Sequence, residues 1–580
     1  MPEEVLLSPG VLAIENDQSF ITSQPVQAGA AIIGPAVKGP VGIPTLVTTY
    51  SEYVNKFGTT FVSGSQNYSY FTSISAYNYF QNGGNTLLVT RVVSGSSNWT
   101  SATSSFISAS AHSVGAPYNT SPFILETISE GEIMNSTSAL NSDGTLPSGS
   151  SNNVRWQIVS PNTASGTFSL LIRRGDDTTN SPTILETWGP LSLDPFSSNY
   201  IERIIGNQVE NVAQDGSDYY IQLSGSYINN SAYVRVKQVN QLTPGYLDNS
   251  GTAKPQFTGS IPLAASGTFG SAVGSNLPAG VGNYYENINN TDSQGIPASE
   301  YTISINLLSN KDAYRFNFIS TPGLVYSFAN HVSPINLLTA VCQNNGNSMA
   351  IIDTVGYGQA TSVAAGSTAG LDTSYAATYW PWLRTVDPGT GQQVWVPAST
   401  MIPGVYAFND NAAEPWYAPA GTSRGVISNA IMAEKYLTQT NRDTLYENNV
   451  NPIATFPNTG VTVFGQKTLQ KKASALDRVN VRRLLIELKN YITQIADTLV
   501  FEQNTTATRN NFLLQVNPYL ASVQQRQGLY SFRVVMDETN NTSTVIDNNQ
   551  LVGAIYLQPT KTAEFIYLTF NVTPTGVSFE

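Results

Sequence analysis

Residues Asp477 to Asn504 read DRVNVRRLLIELKNYITQIADTLVFEQN, with apolar side chains at Val481, Leu484, Leu485, Leu488, Ile492, Ile495 and Leu499. That spacing is the 3.6-residue period of one α-helical face, so a long amphipathic helix is predicted, with Asp477 as its N-cap or first-turn acid. A second helical pattern runs from about Ala507 to Gln527 and is closed by Gly528. YSFRVVMD, LVGAIYLQ and EFIYLTFN then alternate as β-strands. The chain from 475 to 580 is therefore expected to be a helical pair followed by strands.

Toward the N-terminus, α/β character continues. A helical run around Pro334 precedes MAIIDTV (Met349 to Val355), which reads as a buried strand. Near the front, AAIIG (Ala30 to Gly34), PTLVTTY (Pro44 to Tyr50) and NTLLVTRVV (Asn85 to Val93) read as strands, and SEYVNKFG as a short helix ended by Gly58. Between Arg91 and Arg155 there is no Lys or Arg, and Ser, Thr, Asn and Gly dominate. TFSLLIRR (Thr167 to Arg174) and YYIQLSG (Tyr219 to Gly225) regain strand character, whereas Thr258 to Gly295 reads as long loops or a return linker. The expected fold class is a multidomain α/β (α+β) protein: a split α/β core with inserted β-rich outer domains and extended terminal strand arms. Its expected divisions are an arm over 1–27, the first part of the core over 28–93 and an inserted domain over 94–153. A second inserted β-rich domain covers 154–300, the rest of the core 301–474 and a C-terminal domain 475–580.

A length of 580 residues allows about three to five domains. Hydrophobic residues at 41% supply material for large cores, while charged residues at 11% fall well below the roughly 25% of an ordinary soluble domain. The polar surface must then be Ser, Thr, Asn, Gln and Gly, which can be buried between subunits without desolvating ions. Assembly is the first implication. A net charge of −12 argues against nucleic acid and anionic membranes as partners. The single cysteine, Cys342, excludes an internal disulfide and a cysteine zinc site, and its apolar setting reads as a small buried hydrophobe. MPEEVLLSPG carries acid where a signal peptide needs positive charge, and no apolar run approaches the ~18 residues of a membrane span, so cytoplasmic synthesis and assembly are expected.

No constellation supports catalysis, a cofactor or a metal. The two histidines, His112 and His331, lie in segments of different character and read as structural. Val355-Gly-Tyr-Gly358 lacks the strand–loop–helix setting and lysine of a phosphate loop, and Asp176, Asp177 and Asp194 read as turn acids. One charge feature stands out. Lys467, Lys471, Lys472, Arg478, Arg482, Arg483 and Lys489 face only Asp477 and Glu487 between 467 and 490. Such a stripe is either a solvated helix face or a docking surface for an acidic partner. The chain ends form a second feature: LLSPGVLAIEN and EFIYLTFN are either edge strands of the chain's own sheet or strands offered to a neighbour's sheet edge.

Four runs carry a resemblance. APAGTSRGVI (Ala418 to Ile427), NRDTLYENNVNPI (Asn441 to Ile453), GVTVFGQKTL (Gly460 to Leu469) and DRVNVRRLLIELK (Asp477 to Lys489) occur in that order. They resemble the PAG…RG loop, the Leu-Tyr-x-x-x-x-Asn-Pro turn, the GxxVxGxxT strand and the R[IV]NVRR helix of the contractile tail sheath family of myophages. Tyr379 to Asp410, VFEQN (Val500 to Asn504), LLSPGV (Leu6 to Val11) and the Ala30 to Gly58 segment are similar to further family features. The likeness covers about 1–93 and 301–580 and fades between.

The resemblance implies a non-enzymatic virion protein that polymerises into a helical, hexameric-ring sheath around the phage tail tube. Its shortening drives the tube through the host envelope during genome delivery. Implied partners are other copies of the chain, the tail tube protein, and baseplate and tail terminator or neck proteins. Inter-subunit strand arms are expected at Leu6, Leu7, Val11 and Ile14 and at Phe565, Tyr567 and Phe570. Tube contact is expected at Arg482, Arg483, Lys489 and Arg509, with the inserted domains facing outward. The alternatives are the sheath of a contractile injection system or bacteriocin particle, for which the chain is long, and a secreted β-rich adhesin or surface-layer protein.

Overall fold

The computed structural model describes residues 26–63, 66–109, 120–137, 139–275 and 284–565. Leu6, Leu7, Val11, Ile14, Tyr567, Phe570 and His112 lie outside them.

Short strands apolar on both faces must be covered on both faces, and that is where the front and the second half of the chain meet. Eight strands form one sheet in the order Thr45–Val47, Leu87–Arg91, Val26–Gly34, Tyr314–Val325, Met349–Asp353, Ala376–Trp380, Asn451–Phe456, Gly460–Val463. The six inner strands run parallel, and an antiparallel strand closes each edge. Side chains alternate between two cores. Ala30, Ile32, Met349 and Ile351 face helices Phe71–Gln81 and Ala398–Ala412, while Ala31, Ile33, Ala350 and Ile352 face Tyr301–Leu307 and Val332–Asn345. Cys342 is fully buried on the second side. The helix Tyr50–Phe57 begins inside the stretch read as a strand, because Thr49 accepts the Glu52 amide and Glu52 reaches back to Thr48, a reciprocal cap. Gly58, at φ 72°, ends it.

The residues between the two halves fold on their own core. Seven antiparallel strands pair in the order Ile184–Ser192, Thr167–Arg174, Val154–Asn162, Ala265–Gly270, Ser101–Ser104, Phe123–Glu130, Val234–Val239. The expected division at 153/154 is therefore corrected: one sheet and one apolar cluster around Trp156, Phe168 and Phe269 span it. Ala265–Gly270, expected as loop, is the central strand. Its small residues are a fit to a large neighbour, since a Cβ on Gly267 would strike the Trp156 ring. The hairpin Val209–Asp215/Asp218–Ser224 leaves this sheet and rests through Val212, Tyr219 and Ile221 on the core.

At the other end, Val479–Asp497 and Thr506–Gln525 form the expected helical pair. The N-cap is Arg478; Asp477 sits one position earlier, in a short 3₁₀ turn, and pairs with Arg478 at 3.0 Å. A two-stranded antiparallel sheet, Leu529–Val535 with Ala554–Pro559, packs on the second helix.

A buried acid reports on the core. Asp353, at the carboxyl end of Met349–Asp353, accepts hydrogen bonds from the amide (3.0 Å) and hydroxyl (2.5 Å) of Ser399, in the first turn of Ala398–Ala412. Burial pushes its carboxyl up to about 7 against the opposing effect of the Ser399 bonds. A raised carboxyl value means the folded state holds the proton longer than the unfolded chain, so stability falls as pH rises from about 4 through 7. Asp353→Asn is expected to remove that slope and to gain on the order of 3 kcal/mol at pH 8 while changing little at pH 4. Urea unfolding at both pH values checks it; equal effects at the two would refute the assignment.

Candidate functional site

The four motif runs converge on one corner of the core. Val463 donates its amide to Gly425 O (2.7 Å), which joins the first run to the third, and Gly425 is required because a Cβ there would collide with the Ala420–Gly421 and Val463 backbones. Asn451 stitches the second run to the third: its Nδ2 donates to Lys467 O (2.8 Å) and Thr378 O (3.0 Å), and its Oδ1 accepts the Lys467 amide (2.6 Å). The fourth run joins through the Val479 amide, which donates to Gln466 O at 2.8 Å. Leu445 is buried against Val450 and Trp380, which turns the neighbouring Tyr446 toward the corner's cavity.

That cavity, about 330 Å³, is lined by all but the fourth run and is crossed by the returning chain at 562–565. Glu564 is held there. Its Oε2 accepts from Tyr446 Oη (2.7 Å), and its Oε1 accepts from Arg478 Nε (2.7 Å) and Gln466 Nε2 (3.1 Å). Burial pushes the Glu564 carboxyl up, but the bonds from Arg478, Tyr446 and Gln466 outweigh it and hold it below the usual range. Neither Glu564 nor Gln466 stands at a named motif position, and Tyr446 does so only as the Tyr of the Leu-Tyr-x-x-x-x-Asn-Pro turn. One signal was present: Glu564 opens an otherwise apolar run, and a carboxylate entering apolar sequence needs a partner.

Three of the four residues expected at the tube contact are buried, Arg482 and Arg483 on the first helix and Arg509 on the second. Arg482 and Arg483 are only 4% exposed and Arg509 5%, so none presents its charge on the surface of this fold. Arg483 is paired with Asp410 and lies over the Tyr406 ring at 4.5 Å. Arg482 bonds the Ser374 hydroxyl and stacks 4.0 Å from the Tyr375 ring centroid. Arg509 donates to Asn504 Oδ1 (3.0 Å) and Thr506 Oγ1 (3.1 Å), closing the turn between the two helices. The burial of Arg482 and Arg483 follows from their helix having two apolar faces: Val479 and Ile486 point into the core under the sheet, and Leu484, Leu488 and Ile495 into the C-terminal cluster. Lys489 is exposed, with its amine 3.3 Å from Tyr375 Oη.

The C-terminal unit shows apolar surface instead. Phe501 is fully exposed at φ 71°, a backbone conformation a bulky residue rarely adopts, and Val500, Leu514, Tyr530 and Tyr556 are exposed too. Phe565 is 69% exposed where the described chain ends. His331 is buried and accepts the Val325 amide on Nδ1 (3.0 Å), and Asp177 is buried between Arg155 and Arg173. Asp194 receives the Phe196 and Tyr246 amides. Among the described residues no group of three His, Cys, Asp or Glu is placed to hold a metal, and no helix is long and apolar enough to cross a membrane.

Because Asp410 would face a second carboxylate, Arg483→Glu is expected to destabilise the fold by about 3 kcal/mol, with Asp410→Asn milder. A urea midpoint unchanged from the parent chain would contradict the interior role.

The phage tail sheath protein central domain matches residues 298–469, and the phage tail sheath C-terminal domain matches 471–573. The tail sheath protein of Vibrio phage KVP40 is 39% identical over 209 residues, 36% of this chain and 31% of that protein. The tail sheath protein of Enterobacteria phage T4 is 39% identical over 186 residues, 32% of this chain and 28% of that protein. The aligned residues thus amount to under a third of either relative. The crystal structure of the sheath tail protein of Listeria innocua superposes with a TM-score of 0.51 over 92% of this chain and 96% of that one, at 10% identity, a likeness of fold.

Proposed function

We propose, from the match of residues 298–469 and 471–573 to the central and C-terminal domains of phage tail sheath proteins, that the chain polymerises into the helical contractile sheath of a phage tail. The observation that carries this reading is the two-stranded sheet Leu529–Val535/Ala554–Pro559, which has no further strand on either edge among the described residues. A pair of strands is marginal alone, and open edges recruit another strand through main-chain hydrogen bonds. The terminal arms, with Leu6, Leu7, Val11 and Ile14 at one end and Phe565, Tyr567 and Phe570 at the other, are the strands proposed to complete it in neighbouring copies. Exposed Phe501, Tyr530 and Tyr556 would be covered in the same contacts.

In this reading, copies meet head to tail through non-identical surfaces, which generates a helix around the tube. Exchanged strands keep the mesh connected while each body rotates rigidly into a packing of lower free energy, so contraction needs no nucleotide, metal or catalytic group. The insert over 101–270 would face outward and the C-terminal unit inward. Baseplate and tail terminator or neck proteins would bound the polymer, in a virion assembled in the host cytoplasm. The phage names of the relatives favour a virion over an injection system or bacteriocin particle.

Electron microscopy of the purified chain is expected to show tubes, and removal of Met1 to Asn16 to leave a folded monomer without them. A strictly monomeric full-length chain at high concentration would sink the proposal. Of the four tube-facing candidates, Lys489 is the one with its charge on the surface. Lys489→Glu is expected to preserve self-assembly and cut co-assembly with the tail tube protein severalfold in a pelleting assay. Undiminished co-pelleting would remove Lys489 from the tube contact.

A further inference from the structure

Among the described residues, the hydrogen bonds that hold residues 561–565 are made by side chains. The Thr560 amide donates to Gly528 O (3.2 Å), and beyond it no backbone-to-backbone hydrogen bond reaches this stretch among the described residues. Ordering an extended segment without a ladder has to be offset somewhere, and the place is Glu564, with Thr562 Oγ1 accepting from Gln466 Nε2 at 2.6 Å beside it. A carboxylate taking three donors, one of them an arginine, is the strongest point attachment such a segment has.

The donors all belong to the core side. Tyr446 is in the last turn of the helix Gln439–Glu447, Gln466 follows the edge strand Gly460–Val463, and Arg478 caps Val479–Asp497. The chain therefore leaves the two-stranded sheet at Pro559, crosses to the core, is fastened at Glu564 and reaches an exposed Phe565, the last described residue before the fifteen residues 566–580.

We infer that Glu564 is a positioning residue: it fixes the point and direction from which those fifteen residues leave the body for a second copy of this chain. The inference rests on the strand-exchange reading above and adds to it a mechanical element. A pull on the arm is taken by Tyr446, Gln466 and Arg478, and so by the core, before it can peel Ala554–Pro559 from Leu529–Val535. Peeling breaks ladder bonds one at a time; the clasp places a charged attachment in front of them.

The test compares the full chain with Glu564→Ala, Glu564→Gln and a truncation lacking 566–580. Glu564→Ala is expected to unfold cooperatively within about 2 °C of the parent. Its 560–565 stretch should be cleaved by protease about tenfold faster, and the concentration needed to form tubes should rise about tenfold, the loss of a charge-assisted bond. Glu564→Gln, which keeps an acceptor for Tyr446 but no charge, should fall between. Parent-like tubes from Glu564→Ala, with none from the truncation, overturn the clasp and leave strand exchange standing. Parent-like tubes from the truncation overturn strand exchange and the clasp with it. Loss of cooperative unfolding in both Glu564 variants also overturns the inference, because the residue would then be a folding contact.

Discussion

The helix Val479–Asp497 has to satisfy two cores at once. Val479 and Ile486 close the core beneath the eight-stranded sheet, and Leu484, Leu488 and Ile495 build the C-terminal cluster with Phe512, Val516 and Leu520. A helix covered on two sides has little circumference left for water, so charges on its first turns must find partners indoors. Arg483 finds Asp410 and the aromatic faces of Tyr406 and Phe318; Arg482 finds Ser374 and Tyr375. Guanidinium suits this better than ammonium would, being planar, weakly hydrated and able to stack. Trp416 extends the joint: it sits in the C-terminal cluster and donates its indole N–H to Arg526 O at 3.0 Å. The C-terminal unit is therefore joined to the core through packed and hydrogen-bonded side chains rather than through a linker alone.

The main sheet imposes a constraint of a different kind. One of its inner pairings joins Val26–Gly34 to Tyr314–Val325, partners that the whole insert separates in the chain. Contacts so remote in sequence are slow to form, because closure entropy is lost before any contact rewards it. An insert with a core of its own shortens that search by folding into a compact body that brings its two ends together.

What the sequence disclosed follows the range of the forces involved. Periodicity is local, so the helical pair, the buried strands around Ile32 and Ile351 and the mixed fold class were legible from spacing alone. The four motif runs were legible as patterns, and their glycines and Asn451 now have physical reasons: a close approach at Gly425 and a three-bond stitch at Asn451. The fate of the arginines was not legible, because the acceptor for Arg483 lies 73 residues away and that for Arg482 lies 108 away. The strand Ala265–Gly270 was hidden because its Ala, Ser and Gly content records the bulk of Trp156 opposite and no preference of its own. Glu564 was hidden by distance as well, its three donors lying 86 to 118 residues earlier.

The strands Ser101–Ser104 and Ala265–Gly270 lie side by side, the first near the start of the insert and the second near its end. To the chain passing in and out, everything between them closes like a single hairpin. Away from that doorway and from its contacts on the core, such as those of Val212, Tyr219 and Ile221, the size and surface of the insert are not tied to the sheet. A chain can thus carry a different insert on the same base, while the helix that serves two cores and the corner where the motifs meet answer to packing constraints of their own.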